Sequence, residues 1–303
     1  MSKHRPALFA LGMLACGALV VVAMGGFVAS VRPSHVGMPV PTLAPTAKST
    51  VKGTAKNAAI AEQAPTPLPN PEPITSVHVP ILMYHHLEEL SGEQASDPDY
   101  QQLFVAPQAF REQVAYLRDN GYNTITFAEL MGAFNGEVSL PANPVIITFD
   151  DGWDDIYTVA YPILKQHGQR ATFFIPSNWV ENLPGVVSWA QIEEMSAGGM
   201  EIGSHSVTHP YLTTADPDWR KYEIEGSKAT LEEHIKKSVT ALAYPYGLYD
   251  DTVIADVKAA GYLTACTIDP GATATPDNLL TLPRTWVYDW TTLDEFAGLL
   301  KQS

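Results

Sequence analysis

Two pairs of polar residues in this sequence have the types and spacing that metal-dependent hydrolysis requires. Asp150 and Asp151 are adjacent and directly follow the apolar run 145–149, whereas His205 and His209 are four residues apart. Two imidazole nitrogens and one carboxylate form a facial ligand set that leaves coordination positions open for water and substrate. The other carboxylate then remains for a general base. Each pair alone is typical of a turn or a solvated surface, so only their combination indicates a metal site.

Both pairs follow segments that the sequence predicts to be parallel strands. The run 145–149 lacks apolar/polar alternation, as expected of a strand buried on both faces, and the histidines follow the predicted strand 200–204. Carboxyl ends of parallel strands meet at one edge or mouth of the sheet, so we expect the two pairs to lie together. Alternation along the strand predicts different tasks for Asp150 and Asp151, and a helical turn would bring the two histidines onto one face.

The segment from residue 77 onward predicts an α/β architecture. Short apolar strands alternate there with amphipathic helices, which is the pattern of a parallel sheet covered by helices. Roughly seven strand–helix units are one short of the standard eight-stranded barrel. The sequence therefore favours a (β/α) barrel, with an open doubly wound sheet as the alternative.

The amino-terminal part of the chain predicts export. Lys3 and Arg5 precede an uncharged apolar run over 7–31, so residues 1–31 are predicted to be a signal anchor, with a cleaved signal peptide as the alternative. The basic terminus places the rest of the chain outside the cytoplasm. Residues 32–76 are rich in Pro, Thr and Ala and predict a disordered spacer, which leaves 77–303 as the catalytic domain.

The overall charge limits the classes of partner. The chain has 18 Lys and Arg residues against 33 Asp and Glu, which gives a formal net charge of −15. A strongly acidic protein repels nucleic acids, anionic lipid headgroups and polyanionic polymers. We therefore expect no nucleic-acid partner and a neutral or cationic substrate.

Three motifs in order resemble those of the nodulation-type polysaccharide deacetylases. They are Thr-Phe-Asp-Asp-Gly at 148–152, His-Ser-Val-Thr-His at 205–209 and Tyr-Pro-Tyr-Gly at 244–247. The resemblance covers 77–303 and implies a distorted (β/α)7 barrel that removes acetyl groups from sugars with a divalent metal, usually zinc.

The resemblance also implies roles for individual residues. Asp150 corresponds to the general base, and Asp151, His205 and His209 correspond to the metal ligands. Tyr246 corresponds to the residue whose backbone N–H binds the oxyanion.

Two departures from the family pattern bear on activity. The Arg that usually opens the third motif and holds the base is Ala243 here, and no histidine occurs after His234 to serve as the usual acid. We expect Arg284, on the last predicted strand, to take the place of the missing Arg.

The first strand suggests a source for the acid. Val-Pro-Ile-Leu-Met-Tyr-His at 79–85 resembles the opening strand of the biofilm poly-N-acetylglucosamine deacetylases. In that branch the barrel is circularly permuted and its first strand carries the acid. The resemblance therefore implies His85 as the acid, with His86 as the alternative.

These features predict a metal-dependent hydrolase that acts on N-acetylated, glucosamine-type polysaccharide of the cell envelope or matrix. An esterase for O-acetylated glycans such as xylan, and a catalytically inactive carbohydrate-binding relative, are the alternatives. The membrane is an expected partner through the amino-terminal segment. Several aromatic residues near the strand ends are candidates for stacking on sugars: Trp153, Trp179, Trp189, Tyr211 and Trp286.

Overall fold

The computed structural model describes residues 71–92 and 94–302. The predicted anchor at 1–31 and the spacer up to residue 70 lie outside the described residues. Within the described part, no helix has the length and apolar character that a membrane span needs. Residues 71–76, which the sequence analysis assigned to the spacer, include Ile74, whose N–H donates to the Ala133 carbonyl.

The described chain alternates strands and helices in the predicted order. The strands are β1 (Val77–His78), β2 (Ile81–Tyr84), β3 (Asn123–Thr124), β4 (Pro144–Phe149), β5 (Thr172–Ile175), β6 (Glu201–Ser204), β7 (Ala241–Ala243), β8 (Thr264–Cys266), β9 (Thr273–Ala274) and β10 (Thr285–Trp286). The helices are α1 (Pro98–Gln101), α2 (Pro107–Asp119), α3 (Phe127–Phe134), α4 (Tyr161–His167), α5 (Trp189–Ala197), α6 (Pro217–Lys221), α7 (Ser227–Ile235), α8 (Asp251–Ala259) and α9 (Leu293–Leu299).

Seven parallel strands curl into a barrel in the order β10-β2-β4-β5-β6-β7-β8. A parallel bridge between Cys266 on β8 and Leu282, just before β10, joins the two ends of this path. β3 pairs with β4 outside the path, and β1 and β9 form a separate antiparallel pair. The predicted distorted (β/α)7 barrel is confirmed, and the open doubly wound alternative is wrong.

β4 is buried on both faces, as its apolar run predicts. Val145, Ile147 and Phe149 pack with the helices in one apolar cluster, whereas Ile146 belongs to a second cluster inside the barrel. Each fully buried side chain of this size contributes about 1.5–3 kcal/mol. The strand is therefore fixed from both sides, and the acidic pair at its end has a rigid support.

The helical segment 217–235 is interrupted. α6 and α7 are separated by a π-helical turn at Tyr222–Gly226, and a second π-helical turn at Ile156–Ala160 precedes α4. A π turn inserts an extra residue into the helix, so it changes the direction of the side chains around it. The turn at Tyr222–Gly226 presents Glu223 to the interior, with no exposed surface.

Candidate metal centre and catalytic site

The sequence-predicted site residues converge at the carboxyl ends of the barrel strands. Asp150 and Asp151 follow β4, His205 follows β6, Tyr246 follows β7 and His85 follows β2. This is the end of a (β/α) barrel at which the loops build active sites.

Asp151, His205 and His209 form a group of ligand atoms that all lie within 4.8 Å of one another. The Nε2 atoms of the two histidines are 3.1 Å apart, and Asp151 Oδ1 is 3.6 Å from each of them. His205 Nδ1 lies 2.7 Å from the Ala243 carbonyl oxygen. Because a carbonyl only accepts, the His205 proton resides on Nδ1, and the Nε2 lone pair faces the group.

This donor set fits a divalent metal. Two imidazole nitrogens and a carboxylate oxygen are ligands that zinc prefers, and three protein ligands are typical of catalytic sites. Burial, together with the neighbouring His205, lowers the pKa of His209 to about 4 against the opposing effect of Asp151. His209 is therefore neutral at physiological pH, which is the form that binds metals.

Left-handed backbone conformations set the directions of the paired side chains. The sequence analysis instead attributed these directions to strand alternation and to a helical turn. β4 ends at Phe149, and Asp151 has a φ of 72°, so a left-handed turn rather than strand alternation separates the two carboxylates. The segment between the histidines is not a helical turn, since Ser206 and His209 have φ angles of 65° and 60°.

The same left-handed conformation occurs at Tyr246, with a φ of 60°. Four of the seven described non-glycine residues with positive φ thus belong to the three motifs. Such residues cost about 1–3 kcal/mol each and persist where the surrounding structure fixes them.

Arg284 binds the Asp150 carboxylate with both arms of its guanidinium. Nη1 and Nη2 donate to Oδ1 and Oδ2 at 2.7 Å each, and Nε donates to the Thr267 carbonyl at 2.8 Å. Both side chains are buried. Burial opposes the ionisation of Asp150, but Arg284 outweighs it and holds the pKa of this carboxyl well below its usual range. Asp150 Oδ2 is 4.0 Å from His205 Nε2, so a carboxylate that is ionised at physiological pH borders the ligand group.

We expect Arg284→Met to destabilise the protein by about 3–5 kcal/mol, because it leaves a buried carboxylate without a partner. The matched control is Arg220→Met, which breaks the Arg220–Asp256 pair outside the site. It should cost only about 1 kcal/mol, since the Asp256 side chain is 36% exposed. Urea denaturation of both variants measures the difference.

The same pair sets a pH dependence. The depressed pKa of Asp150 stabilises the fold above the unfolded carboxyl pKa of about 3.9, and this stabilisation is lost as the pH falls further. The difference in the free energy of unfolding between wild type and Arg284→Met should therefore become smaller at acidic pH. A gap that is independent of pH would contradict the assignment.

A buried carboxylate missed by the sequence analysis holds the loop between the two histidines. Glu223 Oε2 accepts the N–H groups of Val207 and Thr208 at 2.8 Å each, and Oε1 accepts the Thr208 hydroxyl at 2.6 Å. Glu223 lies in the π-helical turn after α6. The sequence pattern does not indicate this contact, because an acidic residue in a polar helix is predicted to be exposed to solvent.

We expect Glu223→Gln to weaken metal binding by roughly tenfold, a loss typical of residues that support ligands from behind, since one acceptor oxygen is removed. The matched control is Glu201→Gln. Glu201 accepts the N–H groups of Phe127 and Ala128 and the Thr172 hydroxyl, so it has the same kinds of donor, two backbone N–H groups and one hydroxyl, at the other end of the barrel.

Both Glu variants should lose some stability, but only Glu223→Gln should lose metal affinity. Titration of the metal-free proteins with zinc in competition with a chromophoric chelator measures this affinity. Equal zinc affinity in the two variants would show that Glu223 supports the fold alone.

The two candidate acids have different surroundings. His85 is half-buried and its ring stacks on Trp286 with centroids 5.4 Å apart. Burial lowers the pKa of His85, and Asp150 and Asp151 partly counter this effect. His86 instead lies between Phe104 and Trp153, and its Nδ1 is 2.9 Å from Asp155 Oδ2.

Tyr246 occupies a short 3₁₀ turn, Pro245–Gly247. The turn is closed by Gly247 N–H donating to Tyr244 and by Leu248 N–H donating to Pro245, hydrogen bonds that do not use the Tyr246 N–H. Its ring is 41% exposed and stacks on Tyr211 at 4.2 Å, beside His209.

The aromatic candidates separate into two groups. Trp153 donates from Nε1 to Asp151 Oδ2 at 3.3 Å, and Trp179 contacts both Trp153 and His209, so these two rings border the ligand group. Trp189 lies on α5 and stacks on His234 at 3.7 Å, a contact within the helical layer.

Comparisons to known proteins agree with this fold. The profile of the polysaccharide deacetylase family matches residues 137–265. A Bacillus subtilis protein, YxkH, named as a polysaccharide deacetylase, is 31% identical over 206 residues, which are 68% of this chain and 70% of that protein. The chain belongs to the polysaccharide deacetylase family.

Two other relatives are named for deacetylation. The poly-β-1,6-N-acetyl-D-glucosamine N-deacetylase of Escherichia coli is 25% identical over 71% of this chain, and the match spans 37% of that longer protein. The deacetylase PplD of Streptococcus pyogenes, solved with acetate, is 30% identical with a TM-score of 0.70, covering 76% of this chain and all of that one. The relatives of this chain thus include a protein that is named as a deacetylase of poly-N-acetylglucosamine.

Proposed function

We propose that this protein uses a divalent metal to remove N-acetyl groups from a glucosamine-type polysaccharide outside the cytoplasm. The observation that carries the proposal is the buried Asp150 carboxylate, which Arg284 fixes beside the Asp151, His205 and His209 ligand group. A fixed carboxylate next to an open ligand set is what hydrolysis of an amide requires.

The ligand group would hold a zinc ion through Asp151 Oδ1 and the Nε2 atoms of both histidines. When bound, such an ion polarises the acetyl carbonyl and acidifies water. Asp150 takes the proton of the attacking water; each of its oxygens keeps a lone pair beyond the one that Arg284 occupies.

The remaining steps use the other site residues. As the water oxygen adds to the carbonyl carbon, the Tyr246 N–H donates to the developing oxyanion. His85 gives a proton to the amine nitrogen as the C–N bond breaks, and acetate leaves. Arg284 keeps Asp150 ionised before the attack and holds it in place throughout, which replaces the guanidinium that Ala243 does not supply. This replacement supports catalysis over the non-catalytic alternative.

The substrate class rests on relatives and on charge. The Escherichia coli relative is named for N-deacetylation of poly-β-1,6-N-acetyl-D-glucosamine. An acidic protein attracts the cationic product and does not repel the neutral substrate, which fits this polymer better than an anionic one. The basic amino terminus and the apolar run over 7–31 support a position outside the cytoplasm, anchored or released.

The proposal is tested by measuring acetate and free amine together, with metal present. N-deacetylation of β-1,6-linked N-acetylglucosamine oligomers should release both in equal amounts. Acetate without amine, obtained from O-acetylated xylan alone, would indicate the esterase alternative. No acetate from any substrate would indicate a carbohydrate-binding protein.

A further inference from the structure

Three aromatic residues lead from the catalytic site to the surface, and the proposed chemistry does not use them. We name Trp286, Tyr288 and Trp290 the aromatic row. Trp286 and Tyr288 are half-buried, but Trp290 is 56% exposed. Trp290 is the most exposed of the large apolar side chains in the described part of the chain, and exposed apolar patches are typical of ligand-binding surfaces.

The row begins at the catalytic residues because of strand geometry. Arg284, just before β10, points into the barrel at Asp150, and side chains two residues apart on a strand share a face. Trp286 and Tyr288 therefore continue outward on the face of Arg284, while Val287 between them is buried and its N–H donates to Met83 on β2.

A turn fixes the outer end of the row. The Thr291 N–H donates to the Tyr288 carbonyl at 3.0 Å, and the Tyr288 N–H donates to the Thr291 hydroxyl at 2.9 Å. Thr292 then caps α9. These hydrogen bonds join Tyr288 and Thr291 and close the turn that carries Trp290, whose side chain lies at the surface.

The rings are nearly parallel along the whole row. Trp286 stacks on His85 at 5.4 Å, Tyr288 on Trp286 at 5.7 Å with an angle of 11°, and Trp290 on Tyr288 at 4.6 Å with an angle of 6°. The row therefore runs from His85, a residue of the catalytic site, to Trp290 at the surface.

We propose that the aromatic row binds sugar units of the same polymer next to the unit undergoing deacetylation. This inference rests on the proposed function. Pyranose rings present C–H groups that pack on aromatic surfaces, and the row is uncharged, as a neutral polymer requires. The occupant is the substrate chain itself, since the row is continuous with Arg284 and His85.

The test compares β-1,6-linked N-acetylglucosamine dimer and hexamer. In the wild type, the hexamer should have the higher kcat/KM, and Trp290→Ala should remove most of this advantage through an increase of about tenfold in the KM for hexamer, a change typical of a lost aromatic contact. The matched control is Trp219→Ala, because Trp219 on α6 is also an exposed tryptophan, at 43%. It should leave the hexamer-to-dimer ratio unchanged.

The outcomes separate this inference from the proposed function. If the wild type deacetylates dimer and hexamer with equal kcat/KM, or if Trp290→Ala impairs both to the same extent, the row does not bind the polymer. Failure to release acetate from either oligomer would instead reject the proposed function. Binding of hexamer to Asp150→Asn protein, with and without Trp290→Ala, gives a readout that does not need turnover.

Discussion

Asp150→Asn should reduce kcat by about 10²–10⁴-fold while the protein still binds zinc. The amide is nearly the same size as the carboxylate, but it cannot accept the proton of the attacking water, which is the contribution of a general base. Asp150 is not part of the Asp151, His205 and His209 group, so the ligands remain. Acetate release and zinc content, measured on the same preparation, check this result.

The neighbouring carboxylate provides the comparison for this variant. Asp151→Asn should lose zinc as well as activity, because Asp151 Oδ1 faces both histidines at 3.6 Å. An Asp150→Asn protein with undiminished turnover, or one that loses zinc like Asp151→Asn, would show that the roles of the two residues are assigned wrongly.

His205→Ala should lose both zinc and activity. It removes a ligand nitrogen that the Ala243 carbonyl orients through Nδ1, and the two remaining ligands cannot retain the ion as tightly. Turnover at limiting zinc should fall by at least about 10³-fold, as expected when the metal contribution is lost. Zinc content after dialysis and acetate release are the measurements.

His234→Ala is the control for this variant. His234 stacks on the ring of Trp189 and lies on α7, away from the motifs. It should retain zinc and turnover. Full zinc occupancy in His205→Ala would remove His205 from the ligand set.

The sequence was sufficient to predict the barrel and the convergence of its motifs. The uninterrupted apolar run before Asp150 indicates a strand buried on both faces, and β4 packs into two separate apolar clusters. Once the strands are parallel, residues that follow different strands meet at one end of the barrel. His85, Asp150 and His205 come together for this reason, although they are distant in the chain.

The detailed geometry could not be read from the sequence, because it depends on backbone angles and long-range contacts. Asp151 and His209 reach the ligand group through left-handed residues, whereas spacing arguments assume regular strands and helices. Glu223 supports the loop between the histidines from a π-helical turn. An amphipathic pattern does not reveal such a turn, since a single inserted residue changes the register only locally.

The role of Arg284 could be predicted from the sequence only in part. Its place on the last strand predicted a position inside the barrel, but its two bonds to Asp150 join residues 134 positions apart. The sequence is also insufficient to choose between the adjacent residues His85 and His86. Sequence alone leaves both as candidates, whereas the structure places His86 against Asp155 and His85 against Trp286, on the face that leads to the aromatic row.

The most direct test of the central claim is removal and restoration of the metal. Wild-type protein is stripped with a chelator, and the release of acetate and amine from N-acetylglucosamine oligomers is measured before stripping, after stripping and after zinc is added back. We predict that both products disappear on stripping and return together with zinc. Release that persists in the fully stripped protein would contradict metal-dependent N-deacetylation.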